Sequence, residues 1–104
     1  MDEVLFAVDT PLGFRVRVSV ARWDFIVVHK HPSMSGREWD VRLAREAPDE
    51  IRQSRNDASV FLFYKMERER RWVCAVAKTA GLDGFLITAY PTNAIKTGAT
   101  VWPK

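Results

Sequence analysis

Cysteine occurs once in this chain, at Cys74, so no internal disulfide can staple the fold, and a lone thiol suits a reducing compartment. Long hydrophobic runs are missing too. The longest, Val60 to Tyr64 and Trp72 to Ala77, fall far short of the ~20 residues a membrane helix needs. Met1-Asp2-Glu3 is acidic where a secretory signal is basic, and no cleavage pattern follows. These absences predict a cytoplasmic protein with no membrane partner. No glycine-rich loop precedes a helix, no HExxH is present, and Cys74 has no cysteine partner for zinc. The two histidines, His29 and His31, stand two apart, and on a helix such residues do not face each other. Only Asp24 and Asp40 lie near enough in sequence to complete a metal site, so no metal and no cofactor is expected.

What is present suffices for one core. The 104 residues are 47% apolar and include four Trp, and a domain of this size buries roughly two thirds of the surface its unfolded chain exposes. Residues 1–104 are therefore read as a single domain, with no internal repeat, linker or low-complexity segment. The net charge of +3 is unevenly spread. Asp2, Glu3 and Asp9 leave residues 1–14 wholly acidic, whereas residues 61–104 carry seven bases against three acids. A basic second half suits a phosphate-rich partner, because neutralising phosphates releases condensed counterions. Many proteins with no nucleic-acid role are equally basic, so charge alone assigns none.

Val4 to Val8 is a short apolar stretch, and Thr10-Pro11-Leu12-Gly13 is a turn signal. Phe14 to Val20 alternates strictly, predicting a hairpin with one basic face. Ser19 is a candidate N-cap. Val20, Trp23, Val27 and Lys30 share a helical face with Ile26 beside them. Phe25 to Val28 is β-branched enough for a strand, but the helix is preferred, ending at His31-Pro32. Ser35-Gly36 opens a second helix whose apolar seam is Trp39, Leu43 and Ala47. Pro48 ends it and can begin a further helical turn with Asp49 and Glu50. After the polar break Ser54 to Asp57, strands are expected over Ser59 to Glu67, Arg71 to Lys78 and Gly84 to Tyr90, with a short one near Val101-Trp102. Tight turns at Arg68-Glu69-Arg70 and Gly81 to Gly84 make these neighbours antiparallel. The expected class is α+β, an N-terminal β-hairpin and two to three α-helices packed on a C-terminal antiparallel sheet.

Several side chains can carry chemistry, each with a plainer alternative. Pro32 pushes His31 out of helical geometry, and imidazole exchanges protons readily near neutral pH, yet a histidine at a helix end also caps carbonyls. Cys74, between Val73 and Ala75, reads as a buried small hydrophobe rather than a nucleophile. Thr88 and Tyr90 share one strand face, either as hydrogen-bonding and stacking groups or as an ordinary polar stripe. Lys65 shares a face with Phe61 and Phe63, where its stem can snorkel or its charge can meet a phosphate. Lys78 and Lys96 are weaker versions of the same idea.

The ordered set His31-Pro32 with Met34, Pro48-Asp49-Glu50-Ile51 with Ser54 and Asp57, and Leu62-Phe63-Tyr64-Lys65 comes first. Gly84 to Tyr90 as GFLITAY follows, with Thr92, Lys96, Gly98 and Trp102. This succession resembles the phage-associated branch of the barnase–EndoU–colicin–RelE superfamily of small RNases, over most of the chain from about Arg15 to Trp102. The resemblance implies N-terminal helices followed by an antiparallel sheet, in a barnase- or RelE-like layout. It also implies metal-independent cleavage of RNA, in which the ribose 2′-hydroxyl attacks the adjacent phosphate and leaves a 2′,3′-cyclic phosphate. Such chemistry needs a base, an acid and a cation at the phosphate. Carried over, His31 is the base or acid, Lys65 stabilises the phosphate, and Thr88 with Tyr90 positions the nucleotide or, for Tyr90, supplies the acid. Arg55, Lys78 and Lys96 are expected RNA contacts. The EndoU-like pattern draws two histidines from separate segments; here His29 and His31 are neighbours, so either a tyrosine or lysine takes the second place or the family's chemistry does not transfer.

The expectation is a stand-alone endoribonuclease toxin, checked in trans by an antitoxin or immunity protein for which Trp39, Trp72 or Trp102 offers an anchor if not taken up by the core. Its rivals are a module of the same fold that binds RNA or protein without cutting, and a metal-dependent nuclease.

Overall fold

The alternating residues after the first turn build the hairpin foreseen from them. In the computed structural model, which describes residues 3–95 and 98–103, β1 (Val4–Asp9) pairs antiparallel with β2 (Arg15–Ser19). Val16 and Val18 turn into the core while Arg15 and Arg17 stay exposed, as the two-residue period of a strand requires. The backbone N–H and hydroxyl of buried Thr10 both donate to the Phe14 carbonyl, at 3.0 and 2.9 Å, closing the turn, and Gly13 there has φ +89°.

Ser19 ends β2 and caps α1 (Val20–Phe25), its hydroxyl accepting the Arg22 N–H at 3.0 Å. The helix then widens into a π-helical turn, Ile26–Lys30, whose last bond runs from the His31 N–H to the Ile26 carbonyl at 2.7 Å. His31 leaves helical geometry (φ −140°, ψ 79°) as the residue before proline should. A 3₁₀ turn, Pro32–Met34, leads to α2 (Glu38–Glu46). The strands that follow are β3 (Glu50–Gln53), β4 (Val60–Arg68), β5 (Arg71–Ala80), β6 (Asp83–Thr92) and β7 (Ala99–Trp102).

All seven strands form one sheet in the order β1-β2-β6-β5-β4-β3-β7. The α+β class holds, with two α-helices and a mixed sheet. Three expectations are corrected. The sheet is not purely antiparallel, because β2 runs parallel to β6 through the pairs Arg15–Asp83, Val16–Gly84 and Arg17–Phe85, which draws the hairpin into the main sheet. No third helix starts at Pro48; Glu50–Gln53 is a strand held between β4 and β7. The inward seam of α2 is Val41, Ala44 and Arg45, all fully buried, whereas Trp39 is 64% exposed and Ala47 is exposed.

That seam was hidden because Arg45 reads as polar. Its guanidinium donates to the carbonyls of Val41 and, on β2, Val16, each at 3.2 Å, and lies 4.6 Å from the Phe6 ring centre. Burial pushes its pKa down to about 9, with Arg42 pressing the same way, so it remains charged at neutral pH. The helices cover one sheet face, burying Phe14, Trp23, Ile26, Met34, Phe63, Val73 and Leu86 in the main core. Full burial of each large apolar side chain contributes about 1.5–3 kcal/mol. Gly84 sits where an added Cβ would come within 2.9 Å of the Lys78 carbonyl, so β5 and β6 close only around glycine.

Candidate active site

β6 carries the residues that matter most, and an irregularity aims them. Val76 pairs with Thr88 but its neighbour Ala77 pairs with Leu86, leaving Ile87 as an extra residue, a β-bulge. By strict alternation Leu86, Thr88 and Tyr90 would share a face. With the bulge, Leu86 and Ala89 point into the helix-covered core while Tyr90 packs with Leu62, Tyr64, Cys74 and Val76 on the open face. Thr88 turns the same way.

There Thr88 and Tyr90 line a hollow of about 510 Å³ with Ser54, Arg55, Asn56, Val60, Leu62 and Val76. The Thr88 hydroxyl oxygen is buried and takes no hydrogen bond among the described residues. Arg55 is exposed at the mouth and has no ion pair among the described residues. Its loop is fixed by Asp57, whose carboxylate accepts the Ser59 N–H at 2.9 Å, the Ser59 hydroxyl at 2.6 Å and the Lys78 ammonium at 3.3 Å. The two Ser59 bonds, then Lys78, hold the Asp57 pKa down at about 2.

His31 reaches this group from the other side. Its ring centre lies 5.4 Å from that of Tyr90, the planes tilted by 40°. His29 instead leans on Phe25, at 5.2 Å, so the two histidines have different neighbours. Burial raises the pKa of the Tyr90 phenol, with Cys74 and then Tyr64 adding to the shift. A phenol so placed stays neutral, fit to donate a hydrogen bond and ill suited to surrender its proton.

Of the residues singled out from sequence, Thr88, Tyr90 and Arg55 line one hollow, and His31 meets them through the Tyr90 ring. Lys65 is not. It pairs with Val73, a residue of the helix-side core, and its ammonium lies 3.8 Å from Asp49, on the opposite sheet face from Tyr90. The expected convergence of Lys65 with the other three is corrected by that alternation, which its kinship with Phe61 and Phe63 already carried. Lys78 stands opposite Val60, beside the hollow, with its charge engaged by Asp57. Lys96 lies outside the described residues. Ser54, Asn56 and the apolar floor of Leu62 and Val76 were missed; the alternation of β4 and β5 was the available signal for the floor. Cys74 is buried. Trp72 and Trp102 are half-buried against the two cores, which leaves Trp39 as the exposed one of the three.

Among the described residues no three His, Cys, Asp or Glu side chains gather as a metal site would need, and no helix is long and apolar enough to cross a membrane. No protein-family model matches the chain, and neither does any curated protein or solved structure.

Proposed function

We propose that the protein is a metal-independent endoribonuclease that cleaves RNA by attack of the 2′-hydroxyl on the neighbouring phosphate. The observation that carries this reading is the meeting of the His31 and Tyr90 rings at 5.4 Å, beside a hollow that also holds Thr88 and Arg55. The resemblance to the barnase–EndoU–colicin–RelE superfamily supports it, and a barnase-like layout belongs to the same proposal.

In this mechanism His31 exchanges the proton. The 2′-oxygen bonds to phosphorus as the bond to the 5′-oxygen breaks, and the proton lost by the one is regained by the other, so no co-reactant is consumed. Arg55 balances the charge gathering on the phosphate. The buried Thr88 hydroxyl holds a phosphate or base oxygen, and the neutral Tyr90 ring stacks on the nucleotide. Lys65 has no part, being on the far face. As a toxin of the reducing cytoplasm, such an enzyme would be restrained by an antitoxin or immunity protein, for which exposed Trp39 is the anchor we assign.

The test is purified protein with total RNA and excess EDTA, followed by end analysis. Cyclic-phosphate ends are expected, falling about 10²–10⁴-fold in rate for His31→Ala while the unfolding midpoint stays in place. Intact RNA retained on the protein would make it a binding module, and cleavage abolished by EDTA would make it a metal-dependent nuclease.

A further inference from the structure

The basic face of the N-terminal hairpin takes no part in the site above, yet it lies on the same open side of the sheet. Arg17 pairs with Phe85 across the parallel β2–β6 junction, and both are exposed. They line a second hollow, of about 580 Å³, with Ser19 and Val4 and with Arg22 and Phe25 of α1. The Arg22 guanidinium lies 5.6 Å from the Phe25 ring centre, and the His29 ring is tilted against Phe25 at 5.2 Å. Arg15 is engaged by Asp9 at 3.0 Å, but among the described residues Arg17 and Arg22 have no ion pair and no carboxylate lines the hollow. Phe85 is 42% and Phe25 41% exposed, so each offers apolar ring surface to this hollow.

We propose that this hollow is a second nucleotide subsite, in which Arg17 and Arg22 hold backbone phosphates while Phe25 and Phe85 stack a base. Interleaved arginine and aromatic side chains suit single-stranded nucleic acid, because every base has a π-face and every link a phosphate. A globular acidic partner would leave the two rings unused. The subsite is in line with the first: the bulge puts Phe85 on the same face as Thr88, and their β5 partners Lys78 and Val76 are two residues apart, about 7 Å at the rise of a β-strand. An extended strand held at Tyr90 therefore continues over Phe85 toward α1. The identity of the occupant rests on the endoribonuclease reading; the geometry of the hollow does not.

A 2′-O-methyl octanucleotide, which lacks the attacking hydroxyl, serves as the probe, with a 2′-O-methyl dinucleotide and an oligoglutamate for comparison. The wild-type protein is expected to bind the octanucleotide more tightly than the dinucleotide. Arg17→Gln with Arg22→Gln should erase that advantage, weakening octanucleotide binding about tenfold and flattening its log–log salt slope by about 1.4, two phosphates' worth. Phe85→Ala, an exposed site that keeps both charges, should weaken it about fivefold or more. Equal binding by wild type and double variant overturns the subsite and leaves the nuclease reading standing. Weaker binding by the variants, with unmodified RNA left uncut by wild type, supports the subsite and overturns the nuclease. Oligoglutamate binding as tightly as the octanucleotide makes the surface a face for acidic proteins and overturns the subsite.

Discussion

The two faces of the sheet are built from the same strands and obey different rules. On the helix-covered face the strands offer Val16, Phe63, Val73, Ala75 and Leu86, which α1 and α2 seal from water. The open face has no helix over it, yet Tyr64 and Cys74 are fully buried there and the Thr88 hydroxyl is enclosed without a described partner. Leu62, Tyr64 and Cys74 form a second cluster there, packed by Trp72, Val76, Tyr90 and Ile95 rather than by a helix. The lesson is that β6, through its bulge, serves two separate clusters, one sealed by helices and one closed by the strands' own side chains and Ile95.

That division can be broken or sharpened by substitution. Phe63→Ala, on the sealed face, should cost about 3–5 kcal/mol in chemical denaturation. Arg45 tests whether the sealed face uses its charge or its bulk. Arg45→Ala should cost about 2–5 kcal/mol, as the loss of a buried long side chain does, whereas Arg45→Met should be neutral or raise the melting temperature, since a buried unpaired charge gives way to an apolar stem. On the open face Thr88→Val should leave stability unchanged or raise it by up to about 1 kcal/mol, having removed a buried hydroxyl that lacks a described partner, while RNA cleavage drops. The smallest effect is expected at the Asp57 loop. Its folded pKa lies below the unfolded value, so its contribution is present above about pH 4 and lost as pH falls toward 2. The gap in denaturation midpoint between wild type and Asp57→Asn, measured from pH 5 downward, should close along that path.

Elements defined by near neighbours were legible in the residues themselves. Strict alternation from Phe14 to Val20, the Ser19 cap, and the charged turn before Arg71 all act within a few positions. What escaped depends on distant partners. β3 has one inward apolar residue, Ile51, and exists because β4 and β7 flank it, the latter arriving nearly fifty residues later. The parallel β2–β6 junction likewise joins positions whose local patterns say nothing of direction. For the site, residue type and resemblance singled out His31, Thr88, Tyr90 and Arg55; the structure brings His31 to Tyr90 and lines one hollow with the other three. Which sheet face Thr88 and Tyr90 take was not legible, because a single bulge at Ile87 reverses the parity on which such a reading relies. With Lys65 parity was intact and pointed to the covered face.

Two surplus residues, one in the π-helical turn and one in β6, stand on either side of the imidazole–phenol contact. In each case one added amino acid resets the phase of everything after it, by about 100° around a helix axis and by half a period along a strand. The two rings therefore meet only when both phases are set together. Deleting a residue from either element would turn one ring away from the other without altering a single functional group, so the length of each segment is as much a part of the contact as the rings themselves.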